Sequence, residues 1–163
     1  MVKGVRFWIA TAVAVCLCAA AAHAVTRDEL INKCLDAGKM LQEQGLDAAV
    51  KAIENKQGPY VWHDNVNYLF LMNIDGKMLA HPFKPALKKS KTLLDYADIN
   101  GTLFFVDFVK VAKSKNGMGW VKYMWPIPGE DKPIEKYTFI YRVPDTDFFI
   151  GSGLYVIKPG HYY

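Results

Sequence analysis

The chain has 163 residues, of which 52% are hydrophobic and 22% are charged, and its formal net charge is +4 at pH 7. This length and composition predict one globular domain with a hydrophobic core. The charge is too small to predict a nucleic-acid-binding protein, because such proteins carry a strongly basic surface.

The first 24 residues have the pattern of a secretory signal peptide. Lys3 and Arg6 precede a long apolar run, and Ala22-His23-Ala24 fits the small-x-small cleavage rule. The apolar run is shorter than the ~20 residues of a membrane-spanning helix, although a retained N-terminal anchor is an alternative. We therefore predict a periplasmic or secreted protein whose mature part, residues 25–163, has a charge of +2 and keeps Cys34 as its only cysteine.

Two helices are predicted in the mature sequence. Thr26 and Glu29 have the spacing of a capping box, in which each side chain bonds the other residue's backbone amide. Apolar residues at helical spacing follow as far as residue 54, with a bend or interruption near Gly45. The second helix is predicted from Leu103 to Lys115, because Asn116-Gly117 is a typical helix end.

Five strands are predicted, and Asp75-Gly76 forms the turn between the first two. Their ranges are 68–74, 77–80, 119–125, 134–143 and 148–156. A helix, two strands, a helix-bearing crossover and three strands predict an α+β domain of PAS-like type with a five-stranded antiparallel sheet. The first strand is apolar at both parities, so both faces of the sheet should be covered, one of them by the N-terminal helix. The basic segment 84–91 is predicted to be a solvated loop.

Strand alternation groups the aromatic candidates for a binding site. Tyr123 and Trp125 share one face of their strand, where they offer rings, a hydroxyl and an indole N–H to a small amphipathic ligand. Tyr68, Phe70 and Met72 share one face of the first strand, and this mixed face suits a pocket better than the aliphatic face opposite. Ordinary core packing is the alternative for all five.

Three further side chains could add polarity to such a pocket. His81 ends the first hairpin, and it could donate to a carboxylate, a contact that would raise its pKa. Lys136 is the candidate countercharge, since a charge-assisted hydrogen bond contributes roughly 1.5–3 kcal/mol. Trp62, beside His63, could form a lid over the pocket. Each could instead be a solvated or structural residue.

Motifs for catalysis or for a prosthetic group are not found. The sequence has no Cys-x-x-Cys, no Gly-x-Ser-x-Gly elbow and no phosphate-cradling glycine loop. Histidines at 63, 81 and 161 lack the close spacing of zinc ligands. We therefore predict no enzyme activity, no metal and no cofactor. A structural module that dimerises through the N-terminal helix, or a small enzyme, remains as the alternative.

Four segments, in order, resemble the motifs of a known family. They are DGKMLAHP at 75–82, LDYADING at 94–101, GWVKYMWP at 119–126 and VPDTDFFIGSGLY at 143–155. They are similar to the hairpin, crossover, central strand and ending of bacterial single Cache domains, type 2. The resemblance extends from about residue 26 to residue 155, which is nearly the whole mature chain.

The resemblance implies extracytoplasmic binding of a small ligand, often a short carboxylate, with the signal passed to a membrane receptor or a histidine kinase. It also places Phe139 in the presumed pocket, where many members have a tyrosine, so that the pocket would have one hydroxyl fewer. We predict an exported small-molecule sensing domain with a carboxylate as its favoured ligand, no nucleic-acid partner, and a homodimer through the N-terminal helix as one possible assembly.

Overall fold

The computed structural model describes residues 25–158 and 161–162; the predicted signal peptide, residues 1–24, lies outside the described residues. The helices are α1 (Arg27–Gln44), α2 (Leu46–Glu54) and α3 (Phe104–Ala112), with a 3₁₀ helix at Pro85–Lys89. The strands are β1 (Val61–Trp62), β2 (Asn67–Asn73), β3 (Met78–Ala80), β4 (Met118–Pro126), β5 (Pro133–Arg142), β6 (Phe148–Lys158) and β7 (His161–Tyr162).

The strands form one antiparallel sheet in the order β1-β2-β6-β5-β4, with β3 beside β2 and β7 beside β6. The predicted α+β architecture and its five strands are confirmed. The two-residue strands β1 and β7 were not predicted, because two residues are too few to produce an alternating pattern. The central pair, β5 and β6, carries residues of the site described below.

Helices α1 and α2 cover one face of the sheet, as predicted. Thr26 Oγ1 accepts from the backbone N–H of Glu29 at 3.1 Å, which caps α1. The Glu29 side chain does not complete the capping box, because it bonds His63 Nε2 at 3.2 Å instead. Gly45, with φ of +86°, separates the two helices in a conformation that disfavours other residues. None of the described helices is both long enough and apolar enough to cross a membrane.

Helix α3 covers the opposite face, together with the 3₁₀ helix. The predicted helix is confirmed but is shorter than the predicted range at both ends. Its buried residues Phe104, Phe105 and Phe108 pack on the face of β2, β4, β5 and β6 that is opposite to α1 and α2. These aromatic residues prefer strands, and burial of one whole face overrides that preference. The basic segment predicted as a loop contains the 3₁₀ helix, whose residues are partly or fully exposed.

Candidate functional site

The candidate site lies between the sheet and helix α3. On β4, Tyr123 and Trp125 are buried on this side together with Val121. On β2, Phe70 and Met72 point the same way, whereas the aliphatic residues between and before them pack on α1 and α2. Strand alternation therefore gathers the predicted aromatic residues on one face of the sheet.

A cavity of about 10 Å³ lies among these side chains. It is lined by Tyr68, Phe70, Met78, His81, Leu87, Phe104, Phe105, Phe108, Tyr123 and Trp125. This volume is close to the minimum that holds a single water molecule. The metabolite-sized void expected from the sequence is therefore not open in this conformation, because the phenylalanines of α3 fill it. Phe104 stacks on Tyr123 with ring centroids 4.2 Å apart and an interplanar angle of 11°.

Lys136 is the most unusual residue of the site. It is only 1% exposed, and no carboxylate of the described residues lies within 4 Å of its ammonium group. Its Nζ donates to Tyr68 Oη at 3.0 Å and to Tyr155 Oη at 3.1 Å. It also lies 4.2 Å and 4.4 Å from the centroids of the same two rings, so that cation–π attraction adds to the hydrogen bonds.

We call Lys136, Tyr68, Tyr155 and Trp125 the Lys136 network. Trp125 Nε1 donates to Tyr68 Oη at 3.1 Å, so that this oxygen accepts from both the indole and the lysine. Tyr68 Oη can then donate only toward Tyr155 Oη, 3.4 Å away, and Tyr155 Oη donates to the Pro126 carbonyl at 2.9 Å. The lysine's third N–H finds no acceptor among the described residues. The network therefore contains more donors than acceptors.

Burial shifts the pKa values of this network in the direction that removes charge. Desolvation lowers the pKa of Lys136 well below its ordinary value. Desolvation also raises the pKa of Tyr68 to about 12, against the opposing hydrogen bonds from Tyr155 and Trp125. A buried ammonium without a counterion is unfavourable, and a bound anion would relieve it.

His81 adds a second available donor. Its Nδ1 accepts from the backbone N–H groups of Phe83 and Lys84 at 3.2 and 3.1 Å. Burial, reinforced by the charges of Lys136 and Lys84, lowers the pKa of His81 to about 3. The ring is therefore neutral with its proton on Nε2, and within the described residues this N–H has no hydrogen-bond acceptor.

Two predicted site residues lie on the other side of the sheet. Phe139 packs with the α1 and α2 core, 5.4 Å between ring centroids from Trp120. Trp62 also packs on that side, and Lys33 lies 5.4 Å from its ring centroid. Assigning these two to the pocket was wrong, since alternation on β5 turns Phe139 away from Lys136. Met72 is on the correct face but does not line the cavity.

Several site residues were missed by the sequence analysis. Tyr155 shares the cavity-side face of β6 with Gly151 and Gly153, and the strand's alternating pattern could have identified it. Thr138, whose hydroxyl lies 3.0 Å from Tyr123 Oη, follows Lys136 at the same parity. The residues that α3 and the 3₁₀ helix contribute had no such signal, because their positions depend on how these helices dock.

An outer cleft of about 220 Å³ lies beside the cavity, and Trp125 lines both. On the cleft side, Lys84 Nζ is 5.5 Å from the Trp125 ring centroid, and Tyr96 lies 6.1 Å from it between centroids. Trp125 thus separates the buried cavity from a solvent-facing depression.

Asp98 holds the crossover segment, residues 94–101, against β4 next to Trp125. Its carboxylate accepts from the backbone N–H groups of Met124, Asn100 and Thr102, each at 2.9 Å. Desolvation acts to raise the pKa of Asp98, but these hydrogen bonds outweigh it and lower the pKa. The carboxylate therefore stays ionised at neutral pH. Through Met124 N–H it binds the segment that carries Tyr96 to the edge strand β4.

A larger surface depression of about 670 Å³ lies at the C-terminal end of α3 and the β5–β6 turn. It is open, and Arg142 there is already paired with Asp147 at 3.1 Å. Lacking a buried unpaired polar group, it is a weaker candidate than the Lys136 network. Among the described residues, no three His, Cys, Asp or Glu side chains converge as a metal site would require.

Comparison with known families and curated proteins identifies relatives that are sensors. A family model described as Cache domain matches residues 21–158. The chain is 31% identical over 127 residues to methyl-accepting chemotaxis protein McpP of Pseudomonas putida, covering 74% of this chain and 23% of that protein. It is 24% identical over 89 residues to sensor histidine kinase MctS of Rhizobium johnstonii, covering 55% and 19%. The chain thus spans about a fifth to a quarter of the length of these relatives.

Solved structures with the same fold are also sensor domains. A periplasmic sensor domain of a chemotaxis protein has 27% identity and a TM-score of 0.62, with 77% of this chain and 87% of that chain covered. A Cache chemosensory domain, described for its carboxylic acid recognition, has 26% identity and a TM-score of 0.68, with 79% and 92% covered. A methyl-accepting chemotaxis protein from Vibrio parahaemolyticus shares the fold, with 18% identity and a TM-score of 0.66. The match covers 80% of this chain and 88% of that chain.

Proposed function

The chain belongs to the Cache domain family, as its four sequence segments predicted, and from this premise we propose that it is an extracytoplasmic sensor domain for a short monocarboxylate. The ligand's carboxylate would bind Lys136 and the hydroxyls around it, and its apolar part would contact the rings of the cavity. The proposed role is binding rather than catalysis, in keeping with relatives that are chemoreceptors and kinases.

The observation that carries the proposal is the buried, unpaired ammonium group of Lys136. Lysine is almost never fully buried unless it is paired, and here its hydrogen-bond partners are neutral tyrosine hydroxyls. An anion between Lys136 Nζ and His81 Nε2–H would use two donors of the candidate site that have no acceptor among the described residues. It would also raise the pKa of Lys136 toward its ordinary value.

The composition of the site favours one charge and a small apolar body. Lys136 is the only cationic side chain among the cavity residues and the Lys136 network, so that a second carboxylate would be buried without a partner. The remaining wall is made of phenylalanine, methionine and leucine side chains. A structural relative at 26% identity is described as recognising carboxylic acids, which supports the same class of ligand here.

Binding requires the cavity to open, since its present volume accommodates no more than a water molecule. The route that we propose runs from the outer cleft past Trp125, with Tyr96 moving away with the crossover segment. Ring contacts of Tyr96 with Phe104, Phe105 and Trp125, and the hydrogen bond from Met124 N–H to Asp98, hold the crossover segment in its present position. In this proposal the site opens to admit the acid and closes around it.

The proposal includes export and a signalling partner. Residues 1–24 would act as a signal peptide, or alternatively as a retained anchor, and residues 25–163 would form the single ligand-binding domain outside the cytoplasm. The partner would be a membrane receptor or a histidine kinase, and α1 would offer the surface for a homodimer. The periplasmic origin of a structural relative at 27% identity supports this placement.

A screen of small acids by thermal shift tests the proposal. Ligand at 100 times Kd stabilises a protein by about 2.7 kcal/mol, which moves the melting temperature by several degrees. We expect stabilisation by short monocarboxylates and none by the matching amides or alcohols. Equal responses to acids and amides, or no response to any acid at saturating concentration, would rule out a carboxylate sensor.

Replacing Asp98 with alanine should speed both binding and release of the acid. The substitution removes the hydrogen bond from Met124 N–H that joins the crossover segment to β4, together with two bonds from Asn100 and Thr102 that order the segment itself, and so favours opening beside Trp125. We expect the association and dissociation rates to rise several-fold together, with a smaller change in Kd. Stopped-flow tryptophan fluorescence measures both rates. Asp95→Ala, an exposed acid in the same segment, is the control and should leave both rates unchanged.

A further inference from the structure

Gly153 of strand β6 has no side chain, although the residues around it in the candidate site are large. Its cavity-side face carries Phe149, Gly151, Gly153 and Tyr155 in alternation. Gly153 is the cross-strand partner of Thr138, two residues from the Lys136–Tyr155 pair. Its φ lies outside the left-handed region, so that backbone conformation does not explain the glycine.

The space beside Gly153 is filled by the lysine. A Cβ atom at this position would lie 2.4 Å from Lys136 Cε, 2.5 Å from Thr138 Oγ1 and 3.0 Å from the Tyr137 carbonyl oxygen. The first two distances are shorter than a Cβ atom tolerates, and the third is at the lower limit of tolerated contacts. The carbonyl belongs to the sheet and cannot move away, and Thr138 Oγ1 is held by Tyr123. Lys136 Cε is the nearest atom and belongs to the longest and most flexible of these side chains, so that the lysine would shift, and the shift would pull Nζ from its two tyrosines.

We propose that Gly153 is the positioning residue of the anion site, because its missing side chain provides the channel in which Lys136 crosses β6 to reach Tyr68 and Tyr155. Gly153 itself contacts no ligand and acts through the lysine. The ligand readout of this inference rests on the proposed function, whereas the placement of the lysine can be measured without ligand.

The test compares Gly153→Ala with Gly119→Ala, a glycine-to-alanine control on β4. A Cβ at Gly119 would meet only Val111 side-chain carbons, the nearer at 3.2 Å, outside the site. Calorimetric titration with a short monocarboxylate should show a loss of affinity of about 10- to 100-fold for Gly153→Ala, the range expected when a hydrogen bond to a charged group is lost. The control should stay within about twofold of the wild type, a difference too small to reflect loss of such a bond.

A second readout separates a positioning role from general destabilisation. NMR titration of the Lys136 ammonium group, assigned with Lys136→Met, follows its ionisation in the absence of ligand. We expect its pKa to rise toward the ordinary lysine value in Gly153→Ala, because the displaced group is less buried, and to stay lowered in Gly119→Ala. Should Gly153→Ala fail to fold, Gly153→Ala with Thr138→Ala removes the 2.5 Å contact with Thr138 Oγ1 while keeping the contact with the lysine, and it is compared with Thr138→Ala alone.

The two readouts distinguish failure of this inference from failure of the proposed function. A wild type that binds no acid, with a pKa change confined to the Gly153 variant, would support the positioning role and reject the carboxylate sensor. A wild type that binds acid, with unchanged affinity and unchanged lysine pKa in Gly153→Ala, would overturn the positioning role alone.

Discussion

Replacing Lys136 with methionine should abolish the response to short carboxylates and stabilise the ligand-free protein. Methionine has similar length and flexibility but no charge to desolvate. Replacing a buried charged group with an apolar residue of similar volume is often stabilising by about 1–4 kcal/mol. We expect the lower part of that range, because Tyr68 and Tyr155 each lose a donor. Urea unfolding, with and without the acid, measures both effects.

The stability gain should depend on pH in a defined direction. The pKa of folded Lys136 is lowered from an ordinary value of 10.5, so that the unfolded chain binds more protons between the two values. Unfolding free energy of the wild type therefore rises with pH across that window, relative to the methionine variant. The deficit of the wild type is complete below the lowered pKa and disappears as pH approaches 10.5. The raised tyrosine pKa values act similarly on both proteins, so the difference isolates the lysine.

Lys122→Met is the matched control for this prediction. Lys122 lies on the opposite face of β4, exposed and paired with Glu135 at 3.2 Å. An exposed ion pair of this kind contributes little, so that we expect a small change in stability and a full response to acid. A Lys136→Met variant that still gains stability from the acid would show that the lysine is not the anion's partner.

The sequence predicted the parts of the fold that local patterns encode. The break at Gly45, the hairpin at Asp75-Gly76 and the shared face of Tyr123 and Trp125 all follow from turn chemistry and strand alternation. Lys136 was singled out as a candidate countercharge because it lies in a strand that the element order places inside the sheet. These features need only short-range information.

The errors have equally specific causes. Lys136 and Phe139 are three residues apart, and an odd separation on one strand places side chains on opposite faces. Applying alternation to β5, as was done for β4, would have excluded Phe139. Trp62 lies in a two-residue strand that leaves no pattern. The volume of the cavity depends on how closely α3 packs against the sheet, and this long-range packing is not encoded in any short segment.

Replacing Phe104 with alanine should destabilise the protein by about 3–5 kcal/mol and change which acids it prefers. Phe104 is buried and stacked on Tyr123, and it also contacts Trp125 with ring centroids 5.5 Å apart. Its removal leaves a space on the ligand side of the sheet that a longer acyl chain can fill. We therefore expect affinity to rise for longer monocarboxylates relative to the shortest ones. Calorimetric titration across a series of acids of increasing length measures the ratio.

Phe139→Ala separates this change in selectivity from loss of stability. Phe139 is as deeply buried as Phe104 but lies on the α1 side, so that its removal should lower the unfolding free energy by a similar amount. The cavity that it leaves is separated from the Lys136 network by the sheet, and the ratio of affinities for long and short acids should stay at the wild-type value. If both variants shift that ratio equally, the shift reflects loosened packing and the phenylalanines of α3 do not set the size of the site. If the ratio of affinities changes only in Phe104→Ala, helix α3 contacts the apolar end of the ligand and limits the length of the acyl chain that the site accepts.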